Sequence, residues 1–174
     1  MHPLTSELSW HKREGWRRGI QFLERIFGEP PPGLTRIVER AGEIRRGIAA
    51  LNPFLEKNTG EVCPRCTMVC CANKHGYHDN EDLIYLFAIG ERPPLYREGI
   101  RDSDPCQFLS ARGCTLERPL RPFRCTWYFC SALLEHMEKG PAREYRAFTG
   151  MVRRVLALRR ELLEDFFRIA GSAP

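Results

Sequence analysis

The sequence predicts a mostly α single domain, in which helical N- and C-terminal flanks hold a loop-rich, cysteine-ligated metal core. Three observations lead there. Apolar residues recur at helical spacing on both sides of the chain, all eight cysteines fall between positions 63 and 130, and that middle stretch is broken repeatedly by glycine and proline. The expected division of the one domain (1–174) is a helical N-terminal extension over 1–58, a cysteine-cluster core over 61–130 and a long C-terminal helix over 141–170.

Taken in order, Trp16, Ile20, Leu23 and Phe27 predict a first helix. Glu29-Pro30-Pro31-Pro32-Gly33 stops it, because consecutive prolines remove amide donors and clash with a preceding turn. Leu34, Ile37, Val38, Ala41, Ile44, Ile48 and Leu51 predict a second helix, with Asn52-Pro53 expected to close it. Asp79-Asn80-Glu81-Asp82 places capping and acidic residues before the run Leu83–Ile89, which suits the positive end of a short helix ending at Gly90. Between Tyr96 and Pro122 periodicity is weak, so loops are expected, with room for one short hairpin. After Gly140-Pro141, Tyr145, Phe148, Val152, Val155, Leu156, Leu162, Leu163 and Phe166 predict the long last helix, ending near Gly171.

A chain of 174 residues, 43% hydrophobic and 28% charged, can bury a core without covalent staples. Eight cysteines therefore need another reason. No apolar run is long enough to span a membrane, and the first residues carry no apolar stretch of the signal-peptide kind, so the expected address is cytoplasmic. Thiols there bind metal or do redox chemistry more often than they form structural disulfides. The net charge of +5 raises nucleic-acid binding as a low-ranked alternative. Its basic residues, however, are interleaved with Glu24, Glu39, Glu43, Glu161, Glu164 and Asp165, which reads as solvated helix faces.

The cysteines run Cys63-x2-Cys66-x3-Cys70-Cys71, then Cys106-x7-Cys114-x10-Cys125-x4-Cys130. A CxxC turn brings two sulfurs to one side of the chain, and thiolates are the soft ligands that zinc and iron–sulfur clusters prefer. Known spacings fail: a ribbon or treble-clef site wants a second CxxC, a bacterial ferredoxin run wants cysteine where Val69 stands, and the radical SAM signature wants it where Asn73 stands. Adjacent Cys70 and Cys71 point apart along any ordinary backbone, so only one of them is expected to complete the CxxC set, leaving the other for a second metal or a cluster edge. Cys125 and Cys130 would diverge on a regular helix, so they meet across a loop or serve different metals, while Cys106 and Cys114 enclose a turn-like segment and can approach each other. The expected metal ligands are Cys63, Cys66, Cys70, Cys71, Cys106, Cys114, Cys125 and Cys130. The expected cofactor is an iron–sulfur cluster of the 4Fe–4S type, with Zn2+ as the alternative.

CPRCTMVCC, the Cys106 segment with Phe108 and Leu109, Gly113-Cys114, Arg121-Pro122 before Cys125, and Cys130 together resemble the bacterial YkgJ-type cysteine-cluster family, also called the CxxCxxCC or zinc- or iron-chelating domain. The resemblance covers about residues 61–130 and takes in all eight cysteines. Two features depart from the pattern: Thr126 follows Cys125 where such proteins often carry arginine, and Gly113 abuts Cys114. The resemblance implies a bacterial metal-binding protein. Similarity of this cluster to that of flagellin lysine methylase implies, by analogy alone, a small methyltransferase or oxidoreductase as the enzymatic alternative.

Other residues are read more plainly. His75 and His78 are candidate extra ligands, weighed below a polar loop role, and His136 reads as a surface residue. Arg121 and Arg124 flank Cys125 and either lower thiolate charge cost or bind loop carbonyls. Trp127, Tyr128 and Phe129 are expected to shield the centre as core. No catalytic residue or substrate motif is evident. The function expected is therefore an accessory or electron-transfer metalloprotein acting with an unidentified protein partner, with no membrane role.

Overall fold

The structure, a computed structural model, describes residues 12–95, 97–101 and 103–171. His2 and His11 lie outside them, as do the other N-terminal residues read above for a leader. The described chain is mostly α. Its elements are α1 (Arg13–Gly28), α2 (Leu34–Val62), a 3-10 turn (Cys63–Arg65), α3 (Cys70–Asn73), α4 (Asn80–Ala88), β1 (Leu109–Ser110), β2 (Gly113–Cys114), a second 3-10 turn (Arg118–Leu120), α5 (Arg124–Trp127), α6 (Ser131–Lys139) and α7 (Ala142–Ala170). None of the described helices is long and apolar enough to cross a membrane.

Contacts gather the chain into two compact units. Among the described residues, the first comprises those up to 44, those within 77–100 and 158–171; the second comprises 45–76 and those within 101–157.

In the first unit, α1 buries Gly15, Gly19, Leu23 and Ile26, a stripe at helical spacing. The turn into α2 depends on Gly33: its φ is +92°, and a Cβ there would stand 3.1 Å from Ile169 Cδ1. Ile37, Ala41 and Ile44 on α2 and Leu162 and Phe166 on α7 are fully or almost fully buried. Phe27 stacks on Phe166 with centroids 6.1 Å apart and meets Phe87 at 5.8 Å. Helix α4 starts as its acidic lead-in predicts. Asp82 N–H donates to Asp79 Oδ1 at 2.8 Å and Asp79 N–H to Asp82 Oδ2 at 3.3 Å, a reciprocal capping box. Asp82 also accepts from the buried Arg159 at 2.9 Å, while Arg40 pairs with Glu161.

In the second unit, Ile48, Leu51, Leu55, Leu133, Met137, Phe148 and Val155 form the core. Phe148 stacks on Phe54 at 4.4 Å and meets Phe129 at 5.6 Å. The expected stop at Asn52-Pro53 is corrected: α2 carries Pro53 in its interior and continues to Val62. Proline costs the helix one backbone bond, but the buried stripe that includes Leu51 continues beyond it at Leu55 and Asn58. The chain beyond the expected stop is thus helix, and it delivers Cys63 directly from a helix end.

Candidate metal centre

All eight cysteines lie in the second unit, and all are free thiols. Each is placed by a short, local device. The 3-10 turn after α2 bonds Cys66 N–H to Cys63 O at 3.1 Å, folding the CxxC segment back on itself. Cys70 and Cys71 open α3, and Cys71 O accepts from Cys106 N–H at 2.8 Å, tying the first cysteine segment to the next. β1 and β2 pair antiparallel with Leu109 opposite Cys114 and Ser110 opposite Gly113, whose φ of +102° makes the turn. Cys125 is held in α5 with its N–H on Pro122 O at 2.8 Å, and Cys130 is the N-cap residue of α6.

The thiols sort by which others act on them. Burial raises Cys63 above its usual value, and after burial the charges of Cys130, Cys70 and Cys66 act in the same direction. Burial raises Cys70 too, followed by the charge of Cys130 and then that of Cys66. Cys71, immediately next in sequence, answers to different neighbours: burial first, then Cys106 and Cys114, and only then Cys70 and Cys63. Burial pushes Cys125 up to about 12, with Cys71, Cys106 and Cys114 acting alike and the Arg121 guanidinium opposing them. Cys63 and Cys70 thus have Cys66 and Cys130 as their leading thiol neighbours, whereas Cys71 and Cys125 have Cys106 and Cys114, with Cys71 also feeling Cys70 and Cys63. The peptide bond between Cys70 and Cys71 joins the two groups of neighbours.

Among the described residues, no set of three or more His, Cys, Asp or Glu side chains is drawn tightly enough to hold a metal ion as it stands. The groups are gathered sulfurs rather than closed shells. Their chemistry fits a soft metal nonetheless: each has four thiols, the complement of a tetrahedral zinc or a four-iron cluster. With Cys63, Cys70, Cys71 and Cys125 all raised, metal entry would have to displace protons.

His75 is buried within a polar lattice. Its Nδ1 faces Pro105 O at 3.3 Å, and Gln107 Nε2 donates to its Nε2 at 3.1 Å and to Gly76 O at 3.1 Å. Both ring nitrogens are thus engaged in holding the segment before Cys106. His136 is part exposed and pairs with Glu61 at 3.2 Å in a cleft of about 250 Å3, where Lys57 also meets Glu144 at 3.4 Å.

Arg121 binds a loop carbonyl, its Nε donating to Leu116 O at 2.9 Å, and its charge opposes the rise of Cys125 without reversing it. The expectation that Trp127 and Tyr128 shield the centre is corrected: they are 49% and 41% exposed, because α5 ends at Trp127 and turns both rings outward. Tyr128 instead lies under Lys74, whose Nζ is 5.2 Å from the ring centroid, while Phe129 packs inward on Phe148. Arg118 was not singled out by sequence. It is 8% exposed, its Nε donates to Asn52 Oδ1 at 2.9 Å, and the charges of Cys125 and Cys114 act on it. Its position in an Arg-Pro turn between two cysteines was the available signal.

No family model, curated protein or solved structure matches this chain.

Proposed function

We propose that the chain is a metal-binding protein whose eight thiols hold thiolate-ligated centres, and that it serves a protein partner in the cytoplasm as an accessory or electron-transfer protein. The observation that carries this reading is the sorting of eight free thiols into two groups of four. Core packing of cysteine as a small hydrophobe gives no reason for such a division. A disulfide framework is opposed by the adjacent Cys70 and Cys71, whose pairing with each other would strain the peptide bond and the disulfide torsion. The resemblance of the spacing to the YkgJ-type cluster points the same way.

Zinc and iron–sulfur ligation are the two forms of the proposal. Zinc would act as a structural pin without redox chemistry; a cluster would supply one-electron transfer.

Elemental analysis and a visible absorbance scan of anaerobically purified protein test the reading. Two zinc ions per chain and no colour support the zinc form. Iron and sulfide with broad visible absorbance support the cluster form. Protein with less than one metal centre per chain, or one that yields four disulfides after denaturation under chelator, refutes both.

A further inference from the structure

The acidic residues interleaved on the basic helix faces, Glu24, Glu39, Glu43, Glu161, Glu164 and Asp165, all belong to the first unit. The second unit, over 45–76 and 101–157, is left with 15 Lys and Arg against 8 Asp and Glu, a net charge of +7, while the rest of the chain carries 12 against 14, a net of −2. Three of those eight carboxylates are already engaged, Glu144 by Lys57, Asp104 by Arg101 and Glu61 by His136. Charge divided this unevenly points to a polyanionic partner for the second unit. One place on that unit offers more than charge. Trp127 closes α5 and Tyr128 follows it, both close to half exposed, with ring centroids 6.4 Å apart and planes nearly perpendicular at 79°. Lys74, exposed and just beyond α3, lays its ammonium over the Tyr128 ring at 5.2 Å, within cation–π range. Among the described residues Lys74 meets no carboxylate. Two segments far apart in sequence thus bring an indole, a phenol and an unneutralised cation into one exposed cluster.

We propose that Trp127, Tyr128 and Lys74 form a stacking platform for single-stranded nucleic acid, with a base on the Trp127 indole and the adjoining phosphate at Lys74. Every nucleotide brings a π-face and a negative charge together, which is the pairing this cluster accepts. An acidic protein surface would answer the charge and leave the rings in water, and a duplex keeps its base faces in its own stack. The other basic residues of the unit supply the sequence-independent attraction to phosphate. The inference does not rest on the metal-binding reading, since neither the two rings nor Lys74 is a proposed ligand.

The test is fluorescence anisotropy of labelled oligouridylate and oligodeoxythymidylate of about twelve nucleotides, a length within the site sizes of single-strand binders, titrated with the full chain as purified. Binding of either strand is expected, and the tighter of the two tells RNA from DNA. Affinity should fall as salt rises, because phosphate contacts release counterions. Trp127→Ala should weaken binding by about tenfold or more, the range for losing one stacked base. Trp127→Phe should bind close to the parent and lose most of the quench of tryptophan emission that accompanies binding. Lys74→Gln should flatten the salt dependence by about one phosphate contact. Both positions are exposed, so these variants leave the core intact. Binding that Trp127→Ala and Lys74→Gln leave unchanged overturns the proposal, since the unit would then attract phosphate by net charge alone. Tighter binding of a duplex of the same length, or displacement of the oligonucleotide by polyglutamate at equal charge, overturns it in favour of duplex or acidic-protein recognition. A chain that binds neither strand overturns it outright.

Discussion

Replacing Arg159 by methionine removes a buried guanidinium from the start of α4. Its Nη2 stands 2.9 Å from Asp82 Oδ1, with both side chains nearly fully buried. Glu81 and Asp79 lie at 3.4 and 3.6 Å but are about half exposed, so water screens their share. Breaking a buried pair from one side costs about 3–5 kcal/mol. Asp82 keeps its capping-box bond from Asp79 N–H, which places Arg159→Met near the lower end, at about 3 kcal/mol. Asp82→Ala loses the pair and half of the capping box, the latter worth up to about 1 kcal/mol more. The double variant Arg159→Met/Asp82→Leu puts apolar volume in place of both charges, so it should cost less than the two single changes together by about 2 kcal/mol. Urea unfolding at fixed metal loading reads all three. Additivity of the single and double variants within about 0.5 kcal/mol would refute the reasoning, since it would mean that the two side chains do not act as a pair.

Cys70→Ser and Cys71→Ser alter adjacent residues yet should empty different groups: each loses one zinc, Cys70→Ser/Cys130→Ser also loses one, and Cys70→Ser/Cys71→Ser loses both, as read by metal per chain; a double Cys70/Cys130 variant that loses both contradicts the sorting. Stripping metal should unfold the cysteine segments 63–73 and 103–130, whose regular structure is limited to single turns and one two-residue hairpin, because each structural zinc supplies on the order of 10 kcal/mol of folding free energy; native-like amide dispersion throughout those segments in metal-free protein counts against this.

The mostly α character was legible because the flanking helices carry strong 3.6-residue patterns, and the α4 start because Asp79 and Asp82 form a local cap whose chemistry sits within four residues. Pro53 misled because the local cost of proline is written in the sequence, whereas the core positions of Leu55 and Asn58 that offset it depend on distant partners. Trp127 and Tyr128 misled for the mirror reason: aromatic composition suggests burial, but the end of α5 at Trp127 sets their direction. Spacing led to the expectation that the eight cysteines act as a set and that Cys70 and Cys71 serve different partners, but it left those partners open, because Cys130, a leading neighbour of Cys70, lies a long stretch of chain away. Arg118 was invisible for a similar reason, since its burial depends on Asn52, far away on α2.

The two groups are nested along the chain. Every member of the second, from Cys71 to Cys125, lies inside the interval that the first closes from Cys70 to Cys130. Closing the outer group alone means joining ends across about sixty residues. Once the inner group has closed, Cys71 and Cys125 are already neighbours, and the remaining loop shortens to about six residues. On logarithmic loop-closure scaling, that tenfold shortening lowers the entropic cost by about 2 kcal/mol. On the proposed metal-binding reading, assembly would therefore run from the inside outward: the outer group would close readily only after residues 106–125 had met Cys71, although the CxxC pair comes earlier in the chain.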